Sequence, residues 1–172
     1  MEKWMVAAKR ADFKEIGERF GIDQVTARII RNRDVIGEEA IEKYLHGSRK
    51  DFYSPWLLKD MEKAVAILQE KITNKNKIRI IGDYDIDGVM STYILLVSLR
   101  GLGADADMVI PNRIMDGYGI NEHLIEQAWE DKRDTIITCD NGIAAATQIQ
   151  KAKDLGMTVI VTDHHEVPFE ET

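Results

Sequence analysis

Three short stretches concentrate the side chains that bind metal ions: Gly82-Asp83-Tyr84-Asp85-Ile86-Asp87-Gly88, Asp140-Asn141-Gly142 and Asp163-His164-His165. In an extended segment alternate residues project the same way, so Asp83, Asp85 and Asp87 would share one side. Three carboxylates so placed repel one another unless cations sit among them. Carboxylates suit manganese and magnesium, and neutral imidazole suits manganese and zinc. Several aspartates with one or two histidines therefore favour Mn²⁺, with Mg²⁺ as the alternative. A site of this kind that holds two cations is suited to phosphoryl hydrolysis, where one ion activates water and both stabilise charge on the phosphate oxygens. No serine, cysteine or lysine nucleophile is needed.

Each stretch also has a plainer explanation. An Asp-x-Asp-x-Asp-Gly run opens an EF-hand loop, but position twelve from Asp83 is Ile94, not an acid, and a strand precedes the run where a helix is required. A solvated acidic turn is the simpler alternative. Asp140 before Asn-Gly reads as a turn former by itself; it gains weight because neighbouring strands end in the same chemistry. Asp163 with two adjacent histidines is harder to explain as accident, and one of the two imidazoles is expected to support the other or a ligand. Cys139, one residue before Asp140, reads as a buried thiol. His46 and His123 lie apart from these motifs and read as surface residues. In Pro111-Asn112-Arg113-Ile114-Met115-Asp116-Gly117-Tyr118-Gly119, Arg113 could pair with a substrate phosphate, although a plain tight turn accounts for the same residues.

The elements that carry these motifs follow from periodicity. After a polar break at Thr73–Lys77, short apolar runs alternate with helical patterns. Strands are expected at 78–81, 108–111, 135–138 and 158–161. Helices are expected at 89–99, around Leu124, Ile125, Ala128 and Trp129, and at 144–155, the first of them largely buried. Such alternation implies an α/β fold: a Rossmann-like parallel sheet with helices on both faces. In such sheets ligands bind beyond the carboxyl ends of the strands, where all three acidic stretches fall. Residues 1–74 read as a helical region. Asp12 and Asp23 are candidate caps, Gly21 and Gly47 are stops, and Ser54-Pro55 opens a long helix with the stripe Leu57, Leu58, Met61, Val65, Leu68 and Ile72. Residues 75–172 carry the sheet.

The bulk properties exclude some classes. No apolar run approaches the roughly 20 residues that span a membrane, and the charged N-terminus is not a secretory signal. Cys139 is the only cysteine, so an intrachain disulfide is excluded, in keeping with a cytoplasmic setting. The net charge of −7 does not fit a chain that holds nucleic acid across a broad basic surface. Contact with nucleic acid would have to be local or run through bound metal.

At this point the motifs match a known family. The 82–88 run is similar to the first motif of the DHH phosphoesterases, Asp140-Asn141-Gly142-Ile143 resembles their Asp-Asn-Gly-Ile motif, and Asp163-His164-His165 resembles the signature that names them. The loop at 111–119 and the helical leader resemble the RecJ branch, whose members are exonucleases that degrade single-stranded DNA from a 5′ end in recombination and repair. The resemblance implies that Asp85 and Asp87 bind one metal each, Asp140 bridges them and His164 completes one site. It implies that His165 faces the scissile phosphate and that Asp83 and Asp163 orient ligands or bind metal weakly. Arg113, Asn141 and Gly142 would lie on the substrate side. Some relatives carry a histidine ligand where this chain has Ile81. The family also has a further metal-binding aspartate and a substrate-holding domain beyond its DHH motif, so the resemblance implies an N-terminal part that lacks exonuclease activity alone. Two other readings remain: a phosphoesterase of small substrates (oligoribonucleotides, cyclic dinucleotides or pyrophosphate), and a non-catalytic nucleic-acid-binding module. For the latter, Glu18–Arg33 faintly resembles a helix-turn-helix with Arg28, Arg31 and Arg33 on its second helix.

Overall fold

A computed structural model describes residue 3 and residues 9–168. Contacts divide the chain into a unit ending at Leu57 and a unit beginning at Leu58. The first holds three short helices, α1 (Phe13–Phe20), α2 (Gln24–Asn32) and α3 (Glu38–His46). Asp12 accepts the amides of Lys14 and Glu15 at the start of α1, and Asp23 those of Val25 and Thr26 at the start of α2, so two orphan donors of each helix are satisfied. Gly21 closes α1 with φ of 65°, a left-handed conformation in which glycine avoids a Cβ penalty. The arginines of α2 are partly engaged: Arg28 lies over the Phe13 ring, 4.4 Å from its centroid, and Arg31 approaches Asp34. That leaves little of the free basic row a DNA-reading helix presents.

The second unit begins with α4 (Met61–Thr73) and continues β1 (Lys77–Ile81), α5 (Ile86–Gly101), β2 (Asp105–Val109), α6 (Glu122–Glu130), β3 (Thr135–Cys139), α7 (Ala146–Asp154) and β4 (Thr158–Thr162). The strands form one parallel sheet in the order β2-β1-β3-β4. Strand alternation sends Ile81 and Ile136 to one face, against Leu124, Ile125 and Ala128 of α6 and Ala152 of α7. It sends Ile78, Ile80, Ile137, Cys139 and Ile160 to the other, against Leu95, Leu96 and Leu99 of α5 and Ala64, Ile67, Leu68 and Ile72 of α4. The expected α/β architecture with helices on both faces is present. Among the described residues no helix is long and apolar enough to cross a membrane.

Four local expectations change. Ser54-Pro55 opens only a short 3-10 turn at Pro55–Leu57, and α4 starts at Met61, leaving Leu57 and Leu58 exposed. Asp60 adopts φ of 58° there without capping the helix, so the chain turns before the stripe can become helical. Although its sequence groups α4 with the helical leader, its apolar side packs on the sheet and Lys71 pairs with Asp134 at 2.7 Å. Strand β2 begins earlier than its apolar residues suggest. Asp105 and Asp107 belong to it because Arg133 and Arg79 neutralise them, Arg79 gripping Asp107 with two bonds of 3.0 and 2.7 Å. Finally, α5 is apolar all round, yet Val89, Met90, Tyr93, Ile94 and Val97 are exposed along one side.

Asn141, expected on the substrate side, is wholly buried. Its amide donates to the carbonyls of Ile81 (3.1 Å) and Cys139 (2.9 Å) and its Oδ1 accepts from the Ile120 amide (3.0 Å). One side chain thus ties the end of β1, the end of β3 and the loop that leads into α6. Asn141→Ala is expected to lower unfolding free energy by roughly 1–3 kcal/mol, as orphaned buried polar groups do, measured by urea denaturation. From the packing of α4, residues 58–172 should unfold cooperatively in the same experiment and residues 75–172 should not; equal midpoints would contradict that packing.

Candidate metal centre

The order β2-β1-β3-β4 reverses direction between β1 and β3, because the first crossover leads outward to β2 and the second returns past β1. At such a switch point the two adjacent strands leave a crevice beyond their carboxyl ends. Asp83 and Asp85 follow β1 and Asp140 follows β3. One ligand atom of each of these three residues lies within 4.8 Å of the other two. Asp140 also groups in the same way with His164 and His165, which follow β4.

Local backbone chemistry sets these positions. Asp85 caps α5, its Oδ1 accepting the amides of Asp87 and Gly88 at 3.0 Å each. Those amides, the Gly88 one foremost, hold its carboxyl below the usual range. The turn from Asp83 to α5 is so tight that a Cβ on Gly88 would sit 2.5 Å from the Asp83 carbonyl oxygen, which accounts for glycine there. Asp140 takes φ of 62°, an uncommon conformation for a residue with a side chain. Gly142 takes φ of 109°, and a Cβ there would strike Thr138 Oγ1 at 2.7 Å. The β3 tip is therefore a bent turn that aims Asp140 back toward Asp83 and Asp85.

The electrostatics are unfavourable as they stand. Asp83 is 1% exposed and Asp140 8%. One buried oxygen of each has no well-formed hydrogen bond among the described residues. The nearest nitrogen to the Asp140 oxygen is that of the His164 imidazole, whose Nε2 lies 2.9 Å away. Burial pushes the Asp140 carboxyl up, and the neighbouring Asp85 charge adds to it. Buried carboxylate oxygens without donors, facing another carboxylate and an imidazole, are what a divalent cation would satisfy. The donor set fits Mn²⁺ or Mg²⁺.

The second histidine is differently placed. His165 Nδ1 lies 2.7 Å from Asp163 Oδ1, and the Asp163 carboxylate accepts the amides of Ile143 (2.9 Å) and His165 (3.1 Å). Burial acts to raise the Asp163 carboxyl, but these bonds outweigh it and hold it low. The hydrogen bond to Asp163 raises the His165 imidazole. On its other side the Tyr118 hydroxyl lies 3.4 and 3.5 Å from the two ring nitrogens and donates to the Asp140 carbonyl at 3.0 Å. Burial, reinforced by the surrounding aspartates, pushes the Tyr118 phenol up to about 12, so it stays a neutral donor. A cleft of about 440 Å³ opens beside His165, lined by Tyr118, Ile120, Gly142, Ile143, Gln148 and Asp163 among others.

Of the residues expected from the motifs, the fold brings Asp83, Asp85, Asp140, His164, His165 and Asp163 to one edge. Asp87 is outside both ligand groups and exposed on the first turn of α5. Its amide, donated to Asp85 Oδ1 at 3.0 Å, keeps its backbone beside the site. Gly142 lines the cleft, whereas the Asn141 side chain is consumed by backbone contacts. Arg113 sits above the Tyr84 ring, 5.1 Å from its centroid. Tyr118 was legible only as part of a turn; the signal that could have found it is the pair of glycines around it, Gly117 and Gly119, both at positive φ. They let the loop after β2 cross the end of β1.

Comparison with known proteins agrees with this geometry. Residues 77–172 match the model of the DHH family, N-terminal domain. The chain is 38% identical over 165 residues to the single-stranded-DNA-specific exonuclease RecJ of Bacillus subtilis, covering 95% of this chain and 21% of that protein. It is 36% identical over 140 residues to the Escherichia coli protein of the same name, covering 80% and 23%. The chain thus spans less than a quarter of the length of these relatives. Among solved structures, an exonuclease RecJ bound to manganese superposes with a TM-score of 0.62 at 37% identity, covering 66% of this chain and 29% of the other. RecJ of Thermus thermophilus in complex with Mn²⁺ gives 0.60 at 30% identity, covering 75% and 19%. With the acidic switch point, the two histidines after β4 and the family match all on one sheet, the chain belongs to the DHH family.

Proposed function

We propose that this chain supplies the metal centre of an exonuclease that hydrolyses phosphodiester bonds of single-stranded DNA from the 5′ end, in DNA recombination and repair. The observation that carries the reading is the meeting of Asp83, Asp85 and Asp140 at the switch point, with buried carboxylate oxygens that lack donors. The relatives named single-stranded-DNA-specific exonucleases and the manganese-bound structures support the substrate and the metal.

In this reading Asp85, Asp140 and His164 hold the first ion, and Asp83 and Asp87 serve the second, Asp87 by turning its carboxylate inward. Mn²⁺ is the favoured metal and Mg²⁺ the substitute. Such ions supply an activated water and screen the charge on the phosphate. The chain's own groups do the rest. Asp163 and Tyr118 clamp the His165 ring from two sides, which fixes where its free nitrogen faces a phosphate oxygen. Arg113 offers a cationic fork from the loop after β2. Gly142 keeps the cleft floor open to backbone approach.

Two measurements test this. In isothermal titration, Asp140→Asn is expected to lower Mn²⁺ affinity by more than the roughly 10- to 100-fold typical of losing a supporting residue, and Asp87→Asn to weaken only the second binding step. With the complete reading frame that contains this sequence, a single strand labelled at its 3′ end should shorten from the 5′ end when Mn²⁺ is added. A blunt duplex of the same sequence should resist. Equal digestion of both, or digestion unaffected by chelation, would defeat the assignment.

A further inference from the structure

Arg113 lies over the ring of Tyr84, the residue between Asp83 and Asp85 in sequence, yet among the described residues it makes no ion pair and no hydrogen bond. Every other arginine of the sheet unit with a nearby acid uses it: Arg79 pairs with Asp107 and Asp131, and Arg133 with Asp105 and Asp107. Arg113 instead lies against an aromatic face, its guanidinium carbon 5.1 Å from the centroid of Tyr84. Tyr84 stands between Asp83 and Asp85 in sequence, so its ring rises from the acidic turn itself. That ring is braced in turn. Tyr118 meets it edge-on, with centroids 6.3 Å apart and planes at 84°, and Tyr118 is anchored by its hydroxyl on the Asp140 carbonyl. The loop that presents Arg113 is also fixed: Asn112 Oδ1 accepts the amides of Ile114 and Met115, and the Asp116 carboxylate accepts the amide of Asn112.

We infer that Tyr84 is a positioning residue: its ring is a shelf that holds the Arg113 guanidinium clear of the aspartates so that it can grip a phosphate of the substrate strand. The physical reason is a conflict built into the site. A guanidinium released from the Tyr84 ring has the carboxylates that flank Tyr84 in sequence, Asp83 and Asp85, as its natural bidentate partners. That pair would remove a metal ligand and neutralise the phosphate-binding charge together. A cation–π contact fixes an arginine while leaving its N–H donors unspent and its charge intact. Edge-to-face contact with Tyr118 sets the plane of the shelf. An aliphatic residue at position 84 would leave Arg113 to collapse onto the carboxylates.

This inference rests on the proposed action on single strands and adds a residue to it. The test measures the affinity of a fluorescein-labelled oligodeoxythymidylate by anisotropy, with Mn²⁺ affinity by isothermal titration alongside, for four variants: Arg113→Ala, Tyr84→Leu, Tyr84→Phe and the double variant Tyr84→Leu/Arg113→Ala. Arg113→Ala and Tyr84→Leu are each expected to weaken the oligonucleotide about 10-fold, the double variant no more than Arg113→Ala, and Tyr84→Phe within about twofold of the unsubstituted chain. Mn²⁺ affinity should fall in Tyr84→Leu, where Arg113 takes up a carboxylate, and stay within about threefold of the unsubstituted chain in Arg113→Ala, Tyr84→Phe and the double variant. Additive losses in the double variant would mean that Tyr84 touches the strand itself, and would overturn the inference. So would Tyr84→Leu binding the oligonucleotide like the unsubstituted chain, or a loss of Mn²⁺ affinity in that variant that the double variant does not restore. The measurements use the complete reading frame that contains this sequence; if that unsubstituted protein takes up Mn²⁺ but no oligonucleotide, the single-strand reading falls, and this inference with it, whereas loss confined to the variants leaves that reading standing.

Discussion

The centre depends on a repulsion that the fold imposes and does not itself relieve. Asp83 and Asp140 are buried at the ends of neighbouring strands with Asp85 in reach of both; a buried Asp83 oxygen finds no donor, and the buried Asp140 oxygen faces the His164 imidazole. Left to itself, such an arrangement costs folding free energy. The surrounding structure maintains it by over-determining the backbone: the Asp85 cap on α5, the tight approach of Gly88 to Asp83, the left-handed turn at Asp140 and Gly142, and the three bonds of Asn141. Strain and crowded charge kept in place by so many local devices are the mark of a site built for a ligand of opposite sign.

The same frame explains the division of labour between the two histidines. Both imidazoles group with Asp140, but His164 Nε2 faces its carboxylate, whereas His165 is oriented by Asp163 and bordered by Tyr118. The loop after β2 contributes to both halves. It brings Tyr118 to the β3 tip and Arg113 to the Tyr84 ring, so an edge strand with no acidic tip of its own still serves the centre.

Much of this was legible in the residues. Acids and imidazoles at three strand ends predicted one edge, because short apolar runs alternating with helices leave few topologies other than a parallel sheet. What stayed hidden was long-range. Nothing local says that Asn141 spends its amide on Ile81, sixty positions away, or that Tyr118 reaches Asp140. Helix α5 reads as buried from its composition, yet it exposes Val89, Met90, Tyr93 and Ile94, since periodicity reports the apolar surface and not what covers it. Helix α4 starts later than Pro55 suggests because that proline marks a turn as readily as a helix, and only packing on the sheet shows where the helix belongs.

The central claim is that carboxylates from β1 and β3 share a cation with the first histidine after β4. Crystals of the chain grown with Mn²⁺, with diffraction recorded at the manganese absorption edge, test it most directly. The account predicts an anomalous peak within bonding distance of Asp85, Asp140 and His164 together. A manganese peak bound elsewhere, or an ordered centre with no anomalous signal at saturating Mn²⁺, would contradict it.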